Sequence, residues 1–513
     1  MNTLAYLQQQ DPSVIEPYTA VQGNPSYGSD VPQDYPYDPG ATSSLYELGY
    51  IPATSSLLSL VFIGVFSLVI FFFVFRQSQK HKVLRILILL SIAFVFLGPL
   101  SIASISSHTT IGYAKIIGLF LIALTVVKMV RTKSIDIVHT ASFIPICLYI
   151  ISLLISGFTM TNTYFFVKDI SLIIGGLMFF YIAYSYIEEE SLQKDVVTLL
   201  SYATLFPSAI VLFINFFQQQ GVALISGLYP RYENIVFNFD LKRGRILSII
   251  DLEFFVPFVL YMLITERNKL MPIIKITLLS FSVYLTMYRY RFLTFVVGTF
   301  AYLSSIFSLV SKKMIAYAAG FFILLFGVYM IIAVSLGKTT IIDRFLLEDK
   351  KADYDSIRRR FVMIGQAWEL FTEYPIFGVG VGNYKDNVQV TYTTFGGRTY
   401  EPYYKVLQNV YAYPHNWFMQ VLAENGIVGF IVLMYLLYTF GRIDLRLMQK
   451  LKGNRKLLFL AFSVSSWLYV FANQFTPLNN SQPMVIFFWL FRGIIERTYQ
   501  QTTFSLPISR KRT

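Results

Sequence analysis

The sequence predicts an all-α polytopic membrane protein with about 12–13 transmembrane helices and one long extracytoplasmic loop that contains an amphipathic helix. Three observations predict it. More than half of the 513 residues are hydrophobic and only 14% are charged. Apolar runs of about 18–25 residues recur along the chain, the length that crosses a bilayer core as helix. The basic residues fall in short clusters between those runs, which excludes the nucleic-acid-binding surface that a formal charge of +13 would otherwise suggest.

The organisation follows in order. Residues 1–54 contain no Lys or Arg and are rich in Pro, Tyr, Ser and Gly, with six scattered acids, which reads as a disordered acidic tail. No basic, then apolar, signal segment opens the chain, so the first span is expected to act as the targeting signal. N-terminal transmembrane helices fill 55–336, with spans expected near 55–75, 83–104, 111–130, 137–157, 165–187, 196–217, 246–265, 271–288, 292–310 and 314–336. A long loop occupies 337–415. C-terminal transmembrane helices follow over 416–498, near 416–440, 456–474 and 483–496, and 499–513 is a basic cytoplasmic tail ending RKRT.

Alternate turns carry the positive charge: Arg76, Lys80 and Lys82; Lys128, Arg131 and Lys133; Arg267 and Lys269; Lys312 and Lys313; and GRIDLRLMQKLKGNRK. Placing these inside satisfies the positive-inside rule, puts the C-terminus in the cytoplasm and sends the long loop outward. The single cysteine, Cys147, lies in an apolar run, so neither a disulfide framework nor a cysteine zinc site is expected.

Some arginines fall on the side that should avoid them. Lys242, Arg243 and Arg245 in DLKRGR, Arg289 and Arg291 in YRYR, and Arg358, Arg359 and Arg360 in the long loop all fall outward. Singly each reads as a snorkelling or loop charge; together they point to an anion site.

In the loop, Ile357, Phe361, Ile364, Trp368 and Phe371 recur at spacings of four, three, four and three, an apolar stripe on a helix over 354–373 that Pro375 ends. Such a helix would lie on the outer membrane face or against the spans. Gly378, Gly380 and Gly382 in PIFGVGVGNY are compatible with a phosphate cradle, although a plain turn is the simpler reading. His415, one of four histidines, stands at the mouth of the span that follows. It is placed to take a proton from a hydroxyl nucleophile, or to help Asn416 cap the helix. Glu424 sits about 13 Å further along the helix axis, with Gln420 one turn before it on the same face, so the pair suggests a polar lining. Gly426 and Gly429 read as close-packing residues.

RRRFVMIGQAWELFTEYPIFGVGVGNY, and then PHNWFMQVLAENGIVGFIVLMYLLY, resemble the signature region of the O-antigen ligase and O-antigen polymerase superfamily. The resemblance rests on an arginine before an amphipathic helix, Pro375, Phe377, Gly378, Gly380, Gly382, Asn383, His415, Asn416, Glu424, Gly426 and Gly429. YRYRFLTFVVG resembles the family's Ser-Arg step, with Tyr290 where the family has Ser, and RGRILSIIDLEFF resembles its earlier arginine-led span.

The resemblance implies a metal-independent glycosyltransferase of the bacterial inner membrane without cofactor, acting in surface polysaccharide biosynthesis. It would pass a saccharide from undecaprenyl pyrophosphate to an acceptor hydroxyl on a glycan or lipid at the extracytoplasmic face. On that reading His415 and Asn416 are catalytic, and Arg245, Arg291 and Arg360, with Arg289 and Arg359, hold the pyrophosphate. Glu424 and the three loop glycines shape the cavity. A repeat-unit polymerase of the same superfamily is the nearest alternative. A lipid-linked oligosaccharide flippase is the non-enzymatic one, and it would use the intramembrane charges Lys115, Lys168, Asp169, Asp251 and Glu253.

Overall fold

The computed structural model describes residues 140–205, 251–286, 288–306, 350–388, 413–476 and 482–504. It also describes short pieces within 88–92, 101–112, 208–212, 320–331 and 393–400, and Leu478. The tail 1–54, the span expected at 55–75 and most of those at 83–104, 111–130 and 314–336 lie outside the described residues, and so does Arg245.

The helices are α1 (Phe143–Ser156), α2 (Thr163–Tyr186), α3 (Glu190–Ala203), α4 (Val256–Thr265, entered through a 3-10 turn at Leu252–Phe255), α5 (Leu270–Leu285) and α6 (Arg289–Ser305). They continue as α7 (Lys350–Glu373), the single turn α8 (Tyr384–Asn387), α9 (Trp417–Lys450), α10 (Gly453–Ala472) and α11 (Gln482–Phe504). Two small antiparallel hairpins accompany them, β1 (Ser101–Ser106) with β2 (Thr109–Gly112) and β3 (Thr393–Phe395) with β4 (Arg398–Tyr400). Strand β1 takes the last four residues assigned above to the span 83–104, and β2 the first two of 111–130, where SIASIS and TTIG combine β-branched Ile and Thr with small residues. The protein is an all-α membrane protein to which these hairpins are appendages. Among the described residues α2, α9 and α10 are long and apolar enough to cross a bilayer, and Phe143–Thr159, Leu252–Thr265 and Leu270–Leu285 are shorter apolar segments.

Helices α9 and α11 run on past the expected ends of their spans, α9 by ten residues to Lys450. The overrun is possible because its polar residues meet partners inside the bundle. Arg492 of α11 grips Asp444 of α9 with both Nη atoms, at 2.9 and 3.1 Å, and Ser463 and Trp467 of α10 donate to the same carboxylate at 2.8 and 2.7 Å. Three helices are thus joined by one ion pair, with the guanidinium also 4.2 Å from the Phe440 ring centroid. Around it the core is aromatic: Phe258 meets Phe462 and Phe491 edge-on at 5.2 and 5.1 Å.

Helix α7 covers the amphipathic segment and packs on α9. The buried face is offset from the stripe read off the sequence: Val362, Met363, Gln366, Ala367 and Leu370 are buried, while Phe361 and Trp368 are 44% and 46% exposed. The largest apolar side chains therefore point away from the protein. Smaller ones line the contact, where Ala367 and Leu370 of α7 pack with Val379, Tyr384 and Ala423.

Candidate functional site at the helix mouth

The site begins with a break in α9. Gly426 has φ 61° and ψ −164°, so the helix is interrupted one residue after Asn425. In an unbroken helix the amides of Ile427 and Val428 would donate to the carbonyls of Ala423 and Glu424. Here the segment after α7 supplies all four partners. Ile427 and Val428 donate to the carbonyls of Pro375 and Ile376 at 2.8 and 3.3 Å, and the amides of Val379 and Gly380 donate to Ala423 and Glu424 at 3.0 and 2.9 Å. The loop repairs the ladder that the break opens, which a helix inside a membrane protein requires.

Glycine makes this contact possible. A Cβ on Gly378 would stand 2.3 Å from the Glu424 carbonyl carbon, and one on Gly426 would stand 2.3 Å from the Ile376 oxygen, both with left-handed φ. Gly426 thus serves a loop-to-helix contact rather than the helix-to-helix packing read from the sequence. Gly429 leaves room for the Asn425 side chain of its own helix.

The loop is a cradle for a carboxyl group, and that group belongs to the protein. The amide of Tyr384 donates to the Glu424 carboxylate at 3.4 Å, the Gly382 amide also hydrogen-bonds it, and Gln420 Nε2 donates to its other oxygen at 3.1 Å. The amides of Gly378, Gly380 and Gly382 are therefore occupied within the protein and do not face an incoming phosphate. Asn383 latches the loop to the start of α2, its Oδ1 accepting from the Asn162 amide at 2.6 Å and from Thr161 at 3.1 Å. Tyr384 ties it back to α7 through the Met363 carbonyl at 2.7 Å.

His415 stands at the start of α9. It is the one described non-glycine residue with positive φ, 50°, a strained conformation held by what surrounds it. Asn416 accepts from the Met419 amide at 3.0 Å as the helix N-cap, and the Trp417 amide donates to the Asn473 carbonyl at the end of α10 at 2.9 Å. The imidazole is hydrogen-bonded to the Phe475 carbonyl, while Nδ1 is buried with no hydrogen-bond partner. Burial, and then the charge of Arg360, lower its pKa to about 4, the Phe475 carbonyl opposing them. At neutral pH the ring is uncharged and can accept a proton.

Arg360 itself is held below the usual guanidinium range by burial and then by Arg289. Arg360 of α7 therefore lies within electrostatic reach of both His415, just ahead of α9, and Arg289, at the start of α6. Arg291 is turned elsewhere. It forms a 2.6 Å ion pair with Asp251, and its Nε donates to the Tyr290 hydroxyl, which in turn donates to Asp251 at 2.9 Å. Tyr290, standing where the family motif has Ser, supplies a hydroxyl to that pair. The backbone of Arg359 lies in α7; Arg245 lies outside the described residues.

Sequence reasoning missed Tyr290 and Asp251 as members of this constellation. A visible signal was present: an acid and an arginine each at the start of an apolar segment, where an unpaired charge is costly. A small cavity of about 40 Å³, lined by Asp169, Gln420, Glu424 and Asn425 among others, lies behind the glycine loop. Among the described residues no group of three or more His, Cys, Asp or Glu side chains is placed to hold a metal.

Residues 243–434 match the family model described as O-antigen ligase. The match runs from just before the 3-10 turn of α4 through the break in α9, and takes in Asp251, Arg289, Arg291, Arg360, the glycine loop and His415. No curated protein matches the chain.

Proposed function

We infer from this chain's membership of the O-antigen ligase superfamily that it is a ligase-type glycosyltransferase of the bacterial inner membrane. It takes a saccharide from undecaprenyl pyrophosphate and joins it to an acceptor hydroxyl on a glycan or lipid at the extracytoplasmic face. The family supports a ligase- or polymerase-type enzyme with lipid-linked glycan donors and glycan acceptors. The observation that carries the site assignment is Arg360 within electrostatic reach of both Arg289 and His415, whose Nδ1 has no hydrogen-bond partner.

The acceptor O–H gives its proton to His415 Nδ1 as its oxygen attacks the anomeric carbon. The bond from that carbon to the phosphate oxygen breaks, and undecaprenyl pyrophosphate leaves with the electron pair. Arg289 and Arg360 meet the charge that develops on it, through charge-assisted hydrogen bonds that require no metal. Asn416 acts through the helix cap that fixes the backbone at His415. Arg291, neutralised by Asp251, positions α6 so that Arg289 reaches the mouth.

Donor binding also tunes the base. Arg360 lowers the proton affinity of His415, and a pyrophosphate on Arg360 cancels that charge, so the imidazole becomes a stronger base once the donor is bound.

The test is transfer in proteoliposomes from an undecaprenyl-pyrophosphate oligosaccharide. His415→Ala, folded and inserted, is expected to lose about 100-fold or more in rate, the usual size of a general-base contribution. Full activity would overturn the assignment. Deletion in the native host distinguishes the branches: long unattached chains on the carrier support the ligase, and single-repeat products would replace it with a polymerase.

A further inference from the structure

Helix α9 starts beside His415 and ends 34 residues later, about 50 Å of helix away. There the end of α9, the start of α10 and the end of α11 come together, and three basic side chains close on one stretch of α11. Arg446 of α9 donates to the Tyr499 hydroxyl at 2.7 Å, Lys450 of α9 to the Thr503 hydroxyl at 3.2 Å, and Arg455 of α10 to Gln501 Oε1 at 3.2 Å. Lys452 and Lys456 add positive charge at the N-terminus of α10.

Every one of these three partners is neutral. Among the described residues none of the three cations forms a salt bridge, and the acids of the neighbouring helices are committed elsewhere. Asp444 holds Arg492, Glu188 holds Arg497, Glu190 holds Lys194, Glu189 accepts from the Ser191 hydroxyl, and Glu496 accepts from the Ala141 amide and the Ser142 hydroxyl. Residues 505–513, which follow α11, contain no acid. A topological signal needs only a surplus of positive charge on one side of the membrane. Three cations held around five residues of one helix also repel one another, and an anion relieves that repulsion.

The surface that leads to the cluster says which anion. Ile431, Tyr435, Tyr438, Arg442 and Leu445 are exposed and recur at steps of four, three, four and three, so they form one outward stripe along α9. The Arg442 guanidinium lies 5.8 Å from the Tyr438 ring centroid. Tyrosine and a snorkelling arginine at the end of an apolar stripe mark the edge of the hydrocarbon layer. Arg446 and Lys450 follow Arg442 by one and two turns, about 6 and 12 Å along the axis, which is the depth of phospholipid headgroups.

We propose that Arg446, Lys450 and Arg455 bind the phosphodiester of an anionic phospholipid, in the leaflet that the positive-inside rule assigns to the cytoplasm. Its acyl chains lie along the outward stripe of α9, and its phosphate bridges α9 and α10 over the end of α11. The lipid thus ties together the same three helices that Arg492 and Asp444 join inside the bundle. It takes no part in transfer, and the site stands independently of the reaction proposed above.

The experiment follows the thermal midpoint of the purified full-length chain in nanodiscs of phosphatidylcholine carrying rising fractions of phosphatidylglycerol, at fixed ionic strength, and counts retained lipids by native mass spectrometry. A saturable rise of about 3–5 °C is expected, with phosphatidylglycerol retained in preference to phosphatidylcholine and the preference falling as salt rises. Arg446→Gln/Lys450→Gln/Arg455→Gln should abolish the preference. Lys450→Gln alone changes an exposed side chain with one hydrogen bond. It should raise the half-saturating fraction about fivefold, and it keeps the test decisive if the triple variant fails to fold. Lys128→Gln/Arg131→Gln/Lys133→Gln removes as many charges from another turn on the same expected side and should leave the preference unchanged. Equal retention of the two lipids would overturn the proposal, as would an undiminished preference in the cluster variants or an equal loss in the remote one. Protection by inorganic phosphate in pure phosphatidylcholine discs would show a site for a soluble anion and overturn it as well.

Discussion

Two buried arginine–aspartate pairs stand among the described residues, and they are built differently. Arg492–Asp444 sits where α9, α10 and α11 meet, and the carboxylate takes donors from Arg492, Ser463 and Trp467 while the guanidinium also reaches the Phe440 carbonyl and Ser466, leaving only its Nε without a partner. Arg291–Asp251 sits at the mouth, joined by Tyr290, with Glu253 beside it fully buried and its carboxyl hydrogen-bonded to no other residue. The first pair is closed. The second keeps a spare acid within electrostatic reach, an arrangement that costs stability and is tolerated where a site must be held.

The sharpest way to break the comparison is to neutralise each aspartate in turn. Asp444→Asn should leave the Arg492 charge buried without its counterion and cost about 3–5 kcal/mol, the usual size for a broken buried pair, read as loss of monodisperse protein and a much lower thermal midpoint. Asp251→Asn should cost about half as much, because Glu253 can take over Arg291, and the double variant with Glu253→Gln should restore the full loss. Equal damage from the two single changes would show that Glu253 provides no such reserve.

A smaller effect tests the repaired break. Gly426→Ala forces a left-handed φ on a residue with a Cβ and drives that atom into the Ile376 carbonyl, so a loss of about 2 kcal/mol is expected, with transfer falling as the loop detaches. Gly441→Ala, on the same helix with only a 3.8 Å contact to Trp467, should be nearly silent.

The smallest effect concerns pH. With the pKa of His415 at about 4, its unprotonated form dominates well below neutrality, so the acid limb of kcat/KM should lie below pH 5. Removing the Arg360 charge lets the imidazole rise toward 6.5, and Arg360→Met should move that limb upward by up to about one pH unit. The ratio of rates at pH 5 and pH 7 reads the shift whatever the variant does to absolute rate. An unmoved limb would separate Arg360 from His415.

Much of the helical scaffold was visible in the sequence, because α2, α9 and α10 are long apolar runs and hydropathy along the chain is a local property. The mouth was partly visible. His415 and Arg360 stand out as a histidine before a span and an arginine in an outward cluster, whereas their proximity joins segments 55 residues apart and no spacing rule reports it. The apolar stripe of α7 shows the same limit: its period is correct, but the face that packs is the neighbouring one, Val362, Met363, Gln366, Ala367 and Leu370.

The sequence by itself determined that the chain is a bundle of apolar helices with a polar mouth, since the cost of placing backbone and charge in a bilayer is paid residue by residue. Only the tertiary structure decided which charges are spent on each other. Arg291 is committed to Asp251, the glycine-loop amides to Glu424, and Asn416 to a helix cap, while Arg360 stands between Arg289 and His415. Those choices depend on distances between segments far apart in the chain, and electrostatics in a poorly hydrated interior makes each of them decisive.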